Sequence, residues 1–140
     1  MNPEIFKAYD IRGIYPDDFN EEDAWKIGHA VARFLPPLIK GYERGRAEST
    51  ALCIGRDMRT HSEPLSQALI EGIRSTGVGV IDIGMIDTPQ MYFAINHLGT
   101  CGGVQVTASH NPSEYNGFKI CGQKARPVST DTGLTKIRKI

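Results

Sequence analysis

The sequence has no long apolar run and no excess of charge of either sign. No stretch approaches the roughly 20 apolar residues that a transmembrane helix needs. The 16 basic residues balance 16 acidic residues, so the composition favours neither a nucleic acid nor an anionic lipid surface. We therefore expect neither nucleic acid nor membrane among the partners of this chain.

Cysteine is also scarce. The cysteines are Cys53, Cys101 and Cys121, an odd set of which two lie in apolar, strand-like stretches. This pattern favours buried free thiols in a reducing compartment over a disulfide framework. None of the histidines joins the cysteines in a zinc-ligand pattern. Because residues 1–10 lack the basic and apolar regions of a signal peptide, we expect a cytoplasmic protein.

The standard nucleotide-binding loops are missing too. The sequence contains no G-x-x-x-x-G-K-[ST] phosphate loop. Gly99, Gly102 and Gly103 precede a predicted strand rather than a helix, and this order excludes the dinucleotide-binding fingerprint.

The sequence does contain three amphipathic helix patterns. Asn20 is a good N-cap for the first helix, whose opening turn is acidic and whose apolar positions recur at helical spacing until Pro36. Ser62 is the predicted N-cap of the second helix, and Thr88 opens the third. Apolar strand patterns separate and flank these helices, at residues 5–9, 51–54, 78–84, 102–107 and 117–121.

The order of these patterns predicts the fold class. The alternation of strand and helix across residues 51–107 indicates βα units and a largely parallel sheet covered on both faces. The spacer 108–117 is too short for a helical crossover, so the last two strands should form a wide hairpin. We therefore predict an α/β fold of three α/β/α layers with a mixed, mostly parallel sheet, as one domain over residues 1–140. The polar stretch 40–50 is the predicted surface connection.

One loop of the predicted sheet, TASHNPSEYNGFK at residues 107–119, combines several reactive side chains. Ligands of open α/β sheets bind beyond the carboxyl ends of the strands, so we expect Ser109, His110 and Asn111 at the binding edge. If the flanking strands pair, Lys119 should lie near the base of the loop, close to Ser109. The alternative is an ordinary turn with a solvated strand lysine, because Ser, Asn, Pro and Gly all favour turns.

A serine beside a histidine and a lysine is compatible with two reactions. In acyl transfer a base activates the serine. However, no G-x-S-x-G motif surrounds Ser109, and on an extended backbone His110 would point away from it. In phosphoryl transfer the serine carries a phosphoryl group, whose charge of about −1.5 to −2 requires nearby cations. The second reaction fits these residues better.

Two arginine-bearing loops are candidates to support such a site. Arg12 follows the first predicted strand in AYDIRG, and a guanidinium can bind phosphate oxygens with a fork of two donors. The alternative is a local surface pair of Arg12 with Asp10. In GRDMR, the side chains of Arg56, Asp57 and Arg59 follow the second strand and could brace the site from behind, unless this is an ordinary βα loop.

The motifs AYDIRG, GRDMR and TASHNPSEYNGFKI, in this order, resemble the α-D-phosphohexomutase family, and within it the bacterial phosphomannomutase/phosphoglucomutase type. The resemblance runs from residue 6 to residue 122. It implies interconversion of hexose 1-phosphates and 6-phosphates through a phosphoserine and a hexose 1,6-bisphosphate. The implied roles are Ser109 as phosphoserine, His110 as general acid/base, Asn111 as a residue that shapes the loop, Lys119 as a cation near the phosphoserine, and Tyr9 and Arg12 as residues that line the site.

The resemblance also carries implications beyond this chain. Such enzymes have four domains, of which this chain resembles the first, so the expected partners are a phosphosugar and the remaining domains of the same enzyme. The phosphate on Ser109 would supply one Mg²⁺ ligand, and the other ligands are expected in another domain. The isolated domain should be almost inactive. The alternative function is a non-enzymatic phosphosugar-binding or partner-docking module, and a serine hydrolase ranks third.

Overall fold

The computed structural model describes residues 1–40 and 50–140, which form one five-stranded sheet. The strands are β1 Ile11–Ile14, β2 Leu52–Arg56, β3 Val80–Met85, β4 Gly102–Val106 and β5 Tyr115–Gly122. Their order is β1-β5-β4-β2-β3. Strand β2 is parallel to β3 and β4, whereas β5 is antiparallel to β4 and β1. The predicted mixed sheet and its final hairpin are therefore confirmed. Most of the predicted polar connection, residues 41–49, lies outside the described residues.

Helices cover the sheet, and their ends follow local sequence signals. The helices are α1 Glu21–Phe34, α2 Ser62–Arg74, α3 Thr88–Leu98 and the short α4 Thr135–Ile137. Helix α1 begins at a capping box, in which the Asn20 side chain accepts the Asp23 N–H and the Asp23 side chain accepts the Asn20 N–H. It ends where Pro36 opens a 3-10 turn. Further one-turn elements are Pro3–Ile5, Gln123–Ala125 and a π-type turn Thr130–Leu134.

The two faces of the sheet bury different sets of side chains. Alternate strand residues such as Leu52, Ile54 and Val104 belong to the large core, which also contains the apolar faces of α1 and α2. The residues between them, such as Cys53, belong to a smaller core with Met91 of α3. Because successive strand residues point to opposite faces, α1 and α2 lie on one side and α3 on the other. The predicted three-layer α/β/α architecture is therefore confirmed.

Glycines allow α1 and α2 to pack backbone against backbone. A Cβ atom added to Gly28 would lie 2.1 Å from the carbonyl oxygen of Leu69. A Cβ atom added to Gly72 would lie 2.0 Å from the carbonyl oxygen of Trp25. Real Cβ atoms do not approach an oxygen so closely, so this helix pair requires glycine at both positions.

The strand predicted at residues 5–9 is wrong. Residues Pro3–Ile5 form a 3-10 turn that the Asn2 side chain caps. The Lys7 N–H then donates to the Asp10 carbonyl, so the chain turns before strand β1 begins. Ile5 is buried, as its apolar character suggested, but it enters the core from a turn. Local hydrogen bonds at the amino end therefore outweighed the strand pattern.

The predicted N-cap of α2 is also wrong. Ser62 is the first helical residue, and His61 occupies the N-cap position without a side-chain capping bond. The hydroxyl of Ser62 instead donates to a carboxylate oxygen of Asp57, at 2.6 Å. This hydrogen bond attaches the start of α2 to the loop that follows β2.

All three cysteines are free and buried, as predicted. Burial raises the pKa of Cys53 and of Cys121 to about 11 and that of Cys101 to about 12. The protonated thiols therefore contribute to the core as small apolar groups. Within the described ranges, no helix is both long enough and apolar enough to span a bilayer.

Candidate active site

The candidate site lies where two neighbouring parallel strands end. Strands β2 and β4 run side by side, so the loops that follow them meet at one edge of the sheet. The N–H of Asp57, just after β2, donates to the carbonyl of Val106, the last residue of β4, at 3.0 Å. The GRDMR loop and the loop 107–114, hereafter the serine loop, are therefore held together from their first residues.

The carboxylate of Asp57 connects these two loops. It accepts hydrogen bonds from the Thr107 hydroxyl at 2.7 Å, the Ser62 hydroxyl at 2.6 Å and the Arg59 Nε at 3.2 Å. The Thr107 hydroxyl in turn accepts the backbone N–H of Ser109 at 3.0 Å. A chain of hydrogen bonds thus runs from Asp57 to the backbone of the serine.

The guanidinium of Arg59 holds the serine loop by its carbonyl groups. One terminal nitrogen donates to Pro112 at 2.7 Å and to Tyr115 at 3.2 Å. The other donates to Asn111 at 2.7 Å and to Ser109 at 3.2 Å. The Arg59 side chain is only 9% exposed, and its charge is balanced by an ion pair between its Nε and the carboxylate of Asp57. Because guanidinium is planar and has five donors, one residue can fix three carbonyls of the serine loop and that of Tyr115, the first residue of β5.

Ser109 has a strained backbone and an exposed side chain. Its φ is 55°, in the left-handed region that non-glycine residues rarely adopt. Its hydroxyl has no hydrogen-bond partner among the described residues, although its N–H and C=O are both bonded. A strained residue that the surrounding contacts hold in place is typical of functional sites.

The far end of the serine loop is fixed by a second set of contacts. Asn116 is fully buried, and its side-chain nitrogen donates to Ser62 at 2.9 Å and to Nδ1 of His61 at 2.7 Å. The Nε2 of His61 donates to the carbonyl of Ser113 at 2.9 Å. The ring of Tyr15 stacks on His61 with centroids 4.8 Å apart. A hydrogen bond from Tyr15 to a neighbouring glutamate raises the pKa of this tyrosine.

The two predicted cations lie on the same face of the sheet. Arg12 is the register partner of Gly117, at the base of the serine loop, and Lys119 is the partner of Gln105. Residues directly opposite in an antiparallel pair share a face, as do alternate residues along a strand. Arg12 forms the predicted ion pair with Asp10, but its buried Nε has no hydrogen-bond partner. Neither cation contacts the Ser109 hydroxyl in the described part of the chain.

The other predicted site residues differ in how firmly they are held. Asn111 shapes the start of the serine loop, because both its backbone N–H and its side-chain nitrogen donate to the carbonyl of Ala108, at 3.1 Å and 2.7 Å. His110 is exposed beside Ser109. Tyr9 is 74% exposed and lies before β1. The structure therefore brings Ser109, His110 and Asn111 together on one loop, whereas Tyr9 makes no side-chain hydrogen bond among the described residues.

A cavity of about 390 Å³ opens beside Ser109. It is bordered by residues at the carboxyl ends of β2, β3 and β4 and at the N-terminus of α3, including Asp57, Met85, Thr88, Gln105, Thr107 and Ser109. The N-terminal residues of α3 therefore border the cavity together with the carboxylates of Asp57 and Asp87. Asp87 caps the helix by accepting the N–H of Gln90.

These features define the class: an α/β/α domain that presents an exposed serine on a clamped loop at the carboxyl edge of its sheet. The chain belongs to the phosphoglucomutase/phosphomannomutase family, whose model for the alpha/beta/alpha domain I matches residues 3–140.

Individual relatives agree with this membership. The chain is 46% identical over 135 residues to a phosphomannomutase of Escherichia coli, covering 96% of this chain and 27% of that protein. It is 47% identical over 138 residues to a protein of Xanthomonas campestris pv. campestris named "Phosphohexose mutases", covering 99% of this chain and 28% of that protein. A crystal structure of a phosphoglucomutase/phosphomannomutase family protein from Burkholderia thailandensis superposes with a TM-score of 0.83 at 33% identity, over 99% of this chain and 30% of that one. The chain thus spans little more than a quarter of the length of these relatives.

The sequence indicated only part of the support around the serine. Asp57 and Arg59 were predicted as braces, but Thr107, His61 and Asn116 were not predicted to contribute. The signal for Thr107 was its place two residues before Ser109, where a side-chain hydroxyl can accept a backbone N–H. His61 and Asn116 are far apart in sequence, and no local pattern predicts their contact.

Proposed function

We propose that Ser109 is the phosphoserine of a phosphohexomutase that interconverts hexose 1-phosphates and 6-phosphates, with mannose and glucose phosphates as the substrate class. The observation that carries this proposal is the clamped loop: Arg59 and Asp57 hold the backbone of Ser109 in a strained conformation while its hydroxyl stays exposed and unpartnered. The relatives named phosphomannomutase support the same activity.

The proposed reaction consists of two phosphoryl transfers, each of which breaks one P–O bond and forms another. In the first, the bond between phosphorus and Oγ of phosphorylated Ser109 breaks while a sugar hydroxyl oxygen bonds to phosphorus. The hydroxyl proton passes to a base, which we assign to His110, and Oγ is released. The hexose 1,6-bisphosphate then turns around. In the second transfer, Oγ attacks the other phosphate and the bond between that phosphorus and the sugar oxygen breaks. His110 returns its proton to the sugar oxygen as the isomeric monophosphate leaves.

Positive groups on one sheet face can stabilise the phosphoserine. Its charge of about −1.5 to −2 needs cations nearby. Lys119 forms no ion pair among the described residues, and Arg12 has a buried Nε without a partner, although its terminal nitrogen is paired with Asp10. Both side chains lie on the face that carries Gln105, which borders the cavity beside Ser109. We assign Arg12 and Lys119 to the phosphate, and Tyr9 and Asn111 to the lining of the same site.

The described residues do not fit a complete Mg²⁺ site. Across residues 1–40 and 50–140, no group of three or more His, Cys, Asp or Glu side chains could hold a metal ion. Magnesium prefers six oxygen ligands in octahedral geometry. The phosphate on Ser109 would supply one of them, and the rest must come from outside the described residues. For the same reason we propose that the remaining domains of a longer enzyme complete the site, and that these 140 residues alone turn over little substrate.

The proposal is tested by joining this chain to the rest of the E. coli phosphomannomutase in place of its matching quarter. With Mg²⁺ and catalytic hexose 1,6-bisphosphate, the chimera should interconvert hexose phosphates, and intact mass should show one phosphoryl group. Ser109→Ala should abolish both results. Ser75→Ala, at the distant C-terminal end of α2, is the matched control and should preserve both.

The other functions predict different results from the same preparation. Binding of the bisphosphate without transfer, in a folded chimera, would support the phosphosugar-binding module. Labelling of Ser109 by an acyl-serine probe would support a hydrolase. Mutase activity that survives Ser109→Ala would remove the serine from its assigned role.

A further inference from the structure

We propose that His61 is a positioning residue that holds the serine loop only when its ring is neutral, with the proton on Nε2. The ring bridges the loop between the carbonyl of Ser113 and the side chain of Asn116. His61 lies outside the set of residues assigned to the reaction. The inference rests on the proposed function only for its transfer measurement, since its structural part can be tested separately.

The hydrogen bonds around Asn116 determine which atoms donate. Its Oδ1 accepts the backbone N–H of Gly117 at 2.8 Å, so the amide cannot turn over without losing that bond. Its nitrogen therefore faces Ser62 and Nδ1 of His61 and donates to both. The hydroxyl of Ser62 can accept because its own hydrogen points to Asp57. Nδ1 of His61 must consequently be the acceptor.

The opposite side of the ring leads to the same tautomer. Nε2 of His61 lies 2.9 Å from the carbonyl oxygen of Ser113, which can only accept. An imidazole with its proton on Nε2 satisfies both contacts at once. The tautomer with its proton on Nδ1 would satisfy neither.

A second proton on the ring would break the contact with Asn116. In the imidazolium both nitrogens are donors, so Nδ1–H would face the N–H of a fully buried amide. Burying two donors against each other costs about as much as losing a buried hydrogen bond, enough to loosen a loop about tenfold. The hydrogen bond from Nε2–H to Ser113 survives, so protonation removes one of the two anchors that His61 provides. The expected result is a serine loop that opens more often at its far end when His61 is protonated.

Several charged and titratable groups lie on the elements that hold the ring. Tyr15 stacks on it and is bonded to Glu21 at the start of α1. The serine loop contributes Glu114, whose carbonyl accepts the Tyr15 N–H, and the GRDMR loop contributes Asp57 and Arg59. These charges can move the pH at which release occurs but do not change which nitrogen accepts from Asn116.

The tautomer can be measured directly by imidazole ¹⁵N and ¹³C chemical shifts in the labelled chain. When its ring is neutral, His61 should give the signature of an imidazole protonated at Nε2. As the pH falls and the ring takes a second proton, amide hydrogen exchange of residues 109–116 should accelerate about tenfold relative to the sheet. A neutral ring protonated at Nδ1, or exchange that does not follow the titration of His61, would overturn the proposal.

Variants separate this role from a merely structural one. His61→Gln retains one acceptor and one donor but cannot be protonated, so loop exchange relative to the sheet should stay slow and should not change as the pH falls. His61→Ala should exchange quickly at every pH. His97→Gln, on the exposed side of α3, is the matched control and should keep the wild-type profile. If His61→Gln retained the wild-type pH dependence, His61 would not be its source.

In the chimera described above, Ser109 phosphorylation should decline with acid about tenfold more steeply in the wild type than in His61→Gln. His110 is present in both proteins, so only the difference between them reports His61. If Ser109 accepts no phosphoryl group at any pH while the tautomer and loop exchange behave as expected, the proposed function fails and the role of His61 stands.

Discussion

At the scale of single residues, two side chains determine how the serine is presented. Arg59 satisfies three carbonyls of the serine loop and that of Tyr115 just after it. Asp57 accepts hydrogen bonds from the hydroxyls of Thr107 and Ser62. Neither contact holds the Ser109 hydroxyl itself, which stays available. The Ser109 hydroxyl stays free because the Arg59 nitrogens that hold the loop donate to its backbone carbonyls.

We expect Arg59→Lys to loosen the serine loop although the charge is kept. A lysine ammonium cannot reach carbonyls in two directions with a planar fork, so most of the four bonds are lost. Amide exchange of residues 109–115 should rise at least about tenfold, and Ser109 phosphorylation in the chimera should fall by a similar factor. Arg74→Lys, in an exposed ion pair at the end of α2, is the matched control and should change neither quantity. If amide exchange of the serine loop were unchanged in Arg59→Lys, the hydrogen bonds from Arg59 would not be what holds the loop.

At the scale of elements, the backbone contact between α1 and α2 depends on the absence of a side chain at positions such as Gly28. Gly28→Ala should destabilise the fold by about 1–3 kcal/mol, because its Cβ would lie 2.1 Å from the Leu69 carbonyl oxygen and the helices would have to separate. Urea unfolding measures the loss. Gly79→Ala is the control: its Cβ meets nothing closer than 3.6 Å, so stability should be almost unchanged. Equal stability of the two variants would show that the helices separate easily.

Elements with local signals were predicted well. Asn20 as the N-cap of α1 and proline as its end were correctly predicted, and the short spacer 108–117 correctly indicated the hairpin. The strand predicted at residues 5–9 was wrong because Pro3 and the Asn2 cap favour a turn, and the apolar pattern there is only a few residues long. The prediction of Ser62 as N-cap was wrong because its hydroxyl donates to Asp57, which lies outside the helix.

The site was predictable to the extent that it lies on one loop. Ser109, His110 and Asn111 are neighbours in sequence, and the position of their loop after a strand places them at the sheet edge. The contacts of Arg59 cross about fifty residues of sequence, so periodicity and spacing cannot specify which carbonyls it binds. The role of His61 depends on a buried amide from another strand and was invisible for the same reason.

At the scale of the whole molecule, the buried thiols make stability depend on alkaline pH. Unfolded thiols lose their protons near pH 9, whereas burial raises the pKa of Cys53 and Cys121 to about 11. Between these values the folded state binds more protons, so stability should be unaffected below about pH 9 and decline as the pH rises toward 11.

Urea unfolding at pH 8, 9 and 10 measures this dependence, and Cys53→Ala should show a shallower decline than the wild type. All other titratable groups are the same in both proteins, so the difference in slope reports the Cys53 thiol. Native protein at pH 8 should also resist alkylation at all three cysteines, whereas protein in urea should react fully. Rapid alkylation of the native protein would contradict their burial.

The pairing of β1 with β5 has a consequence for folding during synthesis on the ribosome. Strand β1 is synthesised well before its partner β5, because Ile11 pairs with Phe118 and Arg12 with Gly117. Contacts this distant in sequence form late, because the intervening chain must be ordered first. Strand β1 must therefore wait, unpaired and with its apolar side chains exposed, until β5 has left the exit tunnel. In that interval, chaperones and neighbouring nascent chains have access to a segment that the finished protein hides.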